Sequence, residues 1–219
     1  MASPTVENYL KALFLLSVEK GEVNITELSN LLQVKLPTAN SMIKNLNEQG
    51  WVSYEKYKPL SLTPKGKKKA ALIVRKHRLT EMYLVEKMGF GWEEVHEIAE
   101  QVEHIDSTIF FERMDELLGN PKIDPHGSPI PDKNGEMQQK NYDPLGICKP
   151  GETVKLVALV HSSSEFLKFL NRRELQLGAE LKIESIEDYD KSMVVSYENH
   201  PFETFSKDVC DVLLVDRLG

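Results

Sequence analysis

Residues 95–106 read VHEIAEQVEHID, two imidazoles and several carboxylates interleaved with Val, Ile and Ala. On a helix His96, Glu100, Glu103 and His104 fall at i, i+4, i+7 and i+8, one narrow stripe. Val95, Ile98, Ala99, Val102 and Ile105 take the opposite side and are expected to face a core. A second stretch, VRKHRLTEMYL, sets His77 and Glu81 at i, i+4. A third, in a proline-rich run, holds Asp124 and His126 on either side of Pro125. Imidazole and carboxylate together suit borderline-hard divalent ions such as Mn2+, Fe2+, Co2+ or Zn2+. The lack of Cys among them argues against a structural thiolate site. One His–Glu pair on a helix is usually a surface ion pair. Four of the six histidines in such company are harder to read that way.

These residues need elements to position them. Residues 4–20 carry an apolar helical face, from Tyr9, Leu10 and Leu13 to Val18, closed by Gly21. Two short helices follow. Asn24 or Thr26 caps the first with Glu27 close by, and Pro37 opens the second at a position where its missing N–H costs nothing. Two β-prone runs, 51–54 and 60–62, flank a basic tip at Lys56, Tyr57 and Lys58, and a long helix is expected over roughly 64–88. Helix, helix–turn–helix, hairpin, helix is the order of a winged helix-turn-helix, whose second helix enters the DNA major groove. Thr38, Asn40, Ser41 and Lys44 on that helix, with Lys35 and Pro37 at its start, are the candidate base and phosphate contacts. Lys56, Tyr57 and Lys58 of the wing suit phosphate.

Helices are expected over 92–105 and 107–118, the latter with a greasy side of Ile109, Phe110, Met114, Leu117 and Leu118 that suits a core or a dimer seam. Residues 119–151 hold six prolines and five glycines and read as an irregular connector. Beyond it, strand-like alternation in ETVKLVALVH, AELKIESIED and KSMVVSYEN, a short helix in SSSEFLKFLNRREL and a closing strand in DVCDVLLVDRL fit a small β-barrel of about 70 residues.

Charge supports a polyanion-binding end. The chain of 219 residues has a formal net charge of −7, but residues 1–80 hold 13 Lys and Arg against 6 Asp and Glu. The remaining 14 basic and 28 acidic residues make the rest strongly acidic. Cys148 and Cys210 are too few for a disulfide framework. No run approaches a membrane helix, and the first residues lack the basic leader of a signal peptide, so a cytoplasmic protein without a membrane partner is expected.

VRKHRLTEMYL, VHEIAEQVEHI and GNPKIDPHGSPIP together resemble the diphtheria-toxin-repressor and manganese-transport-regulator family of metal-dependent transcriptional repressors, in its three-domain form. The resemblance covers almost the whole chain. It implies a mainly α fold with a small β domain (α+β). The winged helix-turn-helix would span 1–72, the helical metal-binding and dimerisation domain with its connector 73–140, and an SH3-like domain, similar to ferrous-transport A proteins, 150–219. It implies one metal site from Asn8, Glu100, Glu103 and His104, and another from His77, Glu81 and His96, joined in some members by Asp124 and His126. A residue of the barrel completes the second site; Glu165 is the candidate, with Ser162 and His161 behind it.

This sequence departs from the family at three positions. Asn8 stands where iron sensors carry Met and manganese sensors Asp. Lys11 stands where the small two-domain manganese regulators carry a carboxylate. Glu100 stands where iron sensors carry Cys, which leans the site toward Mn2+ with Fe2+ next; Co2+, Ni2+, Zn2+ or Cd2+ would substitute in vitro. The resemblance implies a homodimer that binds palindromic operator DNA when metal-loaded and controls metal-ion homeostasis. Two other readings stay open: a winged-helix factor sensing a non-metal signal, and a metal-dependent hydrolase. The second lacks a His-Glu-x-x-His, a nucleophile elbow and a phosphate loop.

Overall fold

The computed structural model describes residues 3–56, 58–138 and 141–218. Tyr57 lies outside the described residues. The chain forms two compact units: residues 1–83, 97–122 and 130–138 make the first, and 84–96, 123–129 and 139–219 the second.

In the first unit, α1 (Pro4–Lys20) starts at Ser3, whose side chain accepts from the Val6 N–H, with Pro4 in the first turn. α2 (Ile25–Leu31) opens with a full capping box, in which Asn24 and Glu27 each satisfy the other's backbone N–H. α3 (Leu36–Glu48) follows a tight turn and buries Ala39, Ile43 and Leu46. β1 (Val52–Ser53) and β2 (Ser61–Leu62) pair antiparallel as the wing. α4 (Pro64–Met88) begins against them. Gly66 is required there, because a Cβ would sit 1.9 Å from the Trp51 carbonyl oxygen. Leu10, Leu13, Phe14, Leu28, Ile43, Leu46, Val52 and Ile73 form one continuous core, so α1 is welded to the helix-turn-helix.

α5 (His96–Val102) is shorter at both ends than the helix expected over 92–105: residues 92–94 form a turn, and Glu103 and His104 lie in the turn that follows Val102. The expected core stripe holds at Val95 and Ala99, but Ile105 is exposed. α6 (Thr108–Leu117), capped by Ser107, has two faces. Phe111 and Met114 pack with Leu79 and Ile130 in a small second core, while Ile109, Phe110 and Leu117 point to solvent. Arg75 on α4 ties the unit together, donating to the Pro131 carbonyl at 2.8 Å and to Asp115 at 2.5 Å.

The second unit is built on six antiparallel strands: β3 (Asp143–Pro144), β4 (Thr153–Leu159), β5 (Glu180–Ile186), β6 (Met193–Tyr197), β7 (His200–Phe205) and β8 (Leu213–Arg217). Their order is β3-β8-β4-β5-β6-β7. Among the described residues β3 and β7 do not pair, so the expected closed barrel is an open, strongly bulged sheet with register shifts in β4, β5 and β6. α7 (Ser164–Asn171) matches the expected helix. The start of the expected closing strand is instead α8 (Lys207–Val212), capped by Ser206, before the chain extends into β8. Leu156, Leu167, Leu170, Leu181, Ile183, Val195, Phe205 and Leu213 are fully buried between the sheet and α7.

Residues 123–129 are more ordered than their composition suggests. The Asp124 carboxylate accepts from the backbone N–H of His126 and of Ser128, both at 2.9 Å. The Leu159 N–H donates to the His126 carbonyl at 3.1 Å. Gly127 has φ +87°, and a Cβ there would lie 2.3 Å from the Val157 carbonyl oxygen, so only glycine fits.

Candidate metal centre

The centre of the first unit joins α1, α4 and α5. Nearly every residue of α1 from Val6 to Phe14 is buried, and the polar ones among them, Glu7 and Lys11, are spaced i, i+4. They reach Glu100 on α5 and Glu103 and His104 in the turn after it, members of the stripe singled out by spacing.

Glu103 is fully buried. Its Oε2 lies 2.6 Å from His77 Nδ1, and Lys11 Nζ lies 2.8 Å from each of its oxygens. Lys11 Nζ also donates to Glu100 Oε1 at 2.5 Å. His77 Nε2 in turn meets Glu81 Oε1 at 3.0 Å. His77, Glu100 and Glu103 each offer a ligand atom within 4.8 Å of the others. The two sets expected as separate sites are therefore linked: His77 touches the carboxylate of Glu103 with one nitrogen and Glu81 with the other.

Burial pulls the His77 pKa down, but hydrogen bonds to Glu103 and Glu81 outweigh it and hold the imidazole at about 9. Both ring nitrogens then carry protons at neutral pH. Glu7 shows the reverse balance. Its burial favours the neutral acid, yet hydrogen bonds from His104 and Lys69 win and its pKa is lowered. An ionised Glu7 only accepts, so His104 Nδ1, 2.9 Å from Glu7 Oε2, is the protonated nitrogen. His104 Nε2 is thereby turned toward Glu103 Oε1, 3.8 Å away. A carboxylate that fixes the imidazole tautomer is the usual outer partner of a metal-binding histidine.

The donor chemistry fits a divalent cation. Asn8 Oδ1 is buried without a hydrogen-bond partner among the described residues, a costly condition for an oxygen that nothing else satisfies, and Glu103 Oε1 has the Lys11 ammonium at 2.8 Å beside it. The Glu100 and Glu103 carboxylates are already gathered around a positive charge, the Lys11 ammonium.

The other expected ligands lie in the second unit. His96 opens α5 and is exposed. Asp124 and His126 are buried in the 123–129 turn, His126 Nε2 lying 2.9 Å from the Trp92 carbonyl oxygen with its ring stacked on Trp92. Glu165 sits in the first turn of α7, and both it and His161 are exposed.

On the helix-turn-helix, Lys35, Pro37, Thr38, Ser41 and Lys44 are exposed along α3. Asn40 is half-buried and donates back to the Leu36 carbonyl at 3.1 Å. Lys35, the N-cap residue, makes no side-chain cap, leaving the first backbone N–H groups of α3 to other acceptors. Lys56 and Lys58 are exposed at the wing, Lys58 beside Glu55.

Two family models match in tandem. The N-terminal DNA-binding domain of iron-dependent repressors matches residues 1–60, and their metal-binding and dimerisation domain matches residues 63–132. The manganese regulator MntR of Lysinibacillus sphaericus is 30% identical over 118 residues, 54% of this chain and 84% of that protein. The chain belongs to the family of iron- and manganese-dependent transcriptional repressors. The iron-dependent repressor IdeR of Mycobacterium leprae is 34% identical over 127 residues, which cover 58% of this chain and 55% of that relative, so the match spans about half its length. A manganese-dependent transcriptional repressor solved in complex with manganese superposes with a TM-score of 0.87 at 27% identity, over 97% of this chain and 100% of that one. These domains and relatives are those of transcriptional regulators, not enzymes. No helix among the described residues is long and apolar enough to cross a membrane.

Sequence reasoning missed Glu7 and Lys69. The signal for Glu7 was present: with Asn8 and Lys11 it makes a polar patch, Glu7 and Lys11 at i, i+4, on an otherwise apolar stretch of helix.

Proposed function

We propose that the chain is a metal-gated transcriptional repressor of the cytoplasm that binds palindromic operator DNA as a homodimer and controls metal-ion homeostasis. The observation that carries this reading is that α1, which shares one core with the helix-turn-helix, meets the turn that closes α5 through Glu7–His104 and Lys11–Glu103. Any cation held at that junction acts directly on the DNA-binding body.

Asn8, Glu100, Glu103 and His104 are assigned to the first metal. His77, Glu81, His96, Asp124, His126 and Glu165 are assigned to the second. Domains over 1–72, 73–140 and 150–219 divide the work. Mn2+ is preferred, with Fe2+ next, because the donors are oxygen and nitrogen throughout. The bound ion supplies positive charge that offsets the clustered carboxylates. Asn8 on α1 would offer its amide oxygen to the ion, Glu7 holds the His104 tautomer, and His77 would serve as a ligand only in its deprotonated form. Lys35, Pro37, Thr38, Asn40, Ser41 and Lys44 face DNA, with Lys56, Tyr57 and Lys58 on phosphate. The exposed Ile109, Phe110 and Leu117 form the dimer seam.

The double variant Glu103→Ala/His104→Ala tests the assignment. Operator binding by fluorescence anisotropy at fixed salt should lose its dependence on Mn2+ while the circular dichroism spectrum is kept. Metal-stimulated affinity equal to that of the parent would refute it.

A further inference from the structure

Lys11 occupies an unusual place for a lysine. Its side chain is about one-tenth exposed, and its ammonium is held between Glu100 at 2.5 Å and Glu103 at 2.8 Å. Those two carboxylates are the ones assigned above to the first metal, and the inference rests on that assignment. An ammonium has three donors and no lone pair to give, so it cannot join a metal's ligand set. It is a compact positive charge in a poorly solvated place, where its repulsion of a second cation is strongest. Among the described residues its ion pairs are with these two acidic residues, whereas its helical neighbour Glu7 is taken by His104 and Lys69.

We propose that Lys11 is a tethered competitor of the divalent ion, the residue that sets the metal concentration at which the first site fills. The ion and the ammonium need the same Glu100 and Glu103 oxygens, so binding displaces Lys11 from both and breaks two ion pairs. The intrinsic affinity of the ligands is reduced by that cost. With the ammonium on Glu103, α1 is joined to the turn that closes α5 by a bond that a metal must replace rather than add to. The residue thus tunes the threshold without being a ligand, and in doing so separates this chain from a regulator with a carboxylate at the same position, which would attract a cation instead.

The test is a calorimetric titration of Mn2+ into chelator-stripped full-length protein and three variants: Lys11→Met, which removes the charge, Lys11→Arg, which keeps it, and His104→Ala, which removes a proposed ligand. Lys11→Met should bind Mn2+ about tenfold or more tightly at the site that His104→Ala abolishes, a factor that the loss of one partly buried ion pair readily supplies. Lys11→Arg should stay near the parent. Should Lys11→Met fail to fold without metal, Lys11→Gln takes its place, and its melting temperature should rise more on adding Mn2+ than the parent's does. Unchanged or weaker Mn2+ binding by the uncharged variants, with His104→Ala still losing the site, overturns the role of Lys11 alone. Full Mn2+ binding by His104→Ala overturns the site itself, and the inference with it.

Discussion

Glu7 decides which nitrogen of His104 faces Glu103, and so acts on the site without a place in its ligand set. The variant Glu7→Gln keeps the shape but presents an amide that donates or accepts with equal ease, and the tautomer is no longer enforced. Its Mn2+ affinity should fall by roughly 10–100-fold, the usual effect of losing such an outer partner; competition against a chelating dye measures it. His77 makes a second residue-level prediction. Its folded pKa is raised from 6.5 to about 9, so its ion pairs contribute in full below about pH 6.5 and are lost as pH rises through about 9. The metal-free protein should therefore lose stability, on the order of 2–3 kcal/mol, between pH 7 and 9.5. Thermal melts of the parent and of His77→Gln check this, since only the parent should show that slope.

At the scale of elements, α6 divides its apolar residues cleanly. Phe111 and Met114 close the small core with Leu79, whereas Ile109 and Leu117 stand 65% and 61% exposed. A helix that spends so much apolar surface on solvent is the natural seam of a dimer. Phe110→Asp should convert the protein to a monomer by analytical ultracentrifugation and weaken operator binding, with the melting temperature little changed; a dimer of unchanged affinity would move the seam elsewhere. Much of this layer was legible in the sequence. Gly21, Asn24 and Pro37 mark helix ends by local chemistry that a single sequence displays. Periodicity set His96, Glu100, Glu103 and His104 on one stripe; His96 and Glu100 lie on α5, and Glu103 and His104 in the turn that closes it. What periodicity could not show was long-range. Residues 92–94 look helical yet turn, and DVCDV looks like a strand yet forms α8, because capping by Ser206 wins over β-branched content. The open order of the sheet depends on pairings between strands far apart in sequence. Lys11 read as a departure from a pattern, and only the fold revealed that its ammonium lies between Glu100 and Glu103.

At the scale of the molecule, charge and position agree. The basic residues crowd the first 80 positions, around a helix-turn-helix whose α3 exposes Lys35, Thr38, Ser41 and Lys44, and the acidic residues that could hold a cation lie on the elements that follow. Metal gating requires communication between these two regions, and α1 supplies it, since one helix carries both the core of the DNA-binding body and three polar residues of the candidate metal centre. A metal alters DNA affinity only through its preference for the binding-competent arrangement. A swing from about 1:99 to 99:1 needs about 5.5 kcal/mol of that preference, within reach of two sites per subunit.

The most direct test of metal gating is selection of genomic DNA fragments by chelator-stripped full-length protein at one salt concentration, with no metal and with Mn2+, Fe2+ or Zn2+ added in turn. Metal gating predicts enrichment of a palindromic site only when metal is present, greatest with Mn2+ or Fe2+. Enrichment of the same site to the same degree without metal would contradict it and leave a winged helix that answers to some other signal.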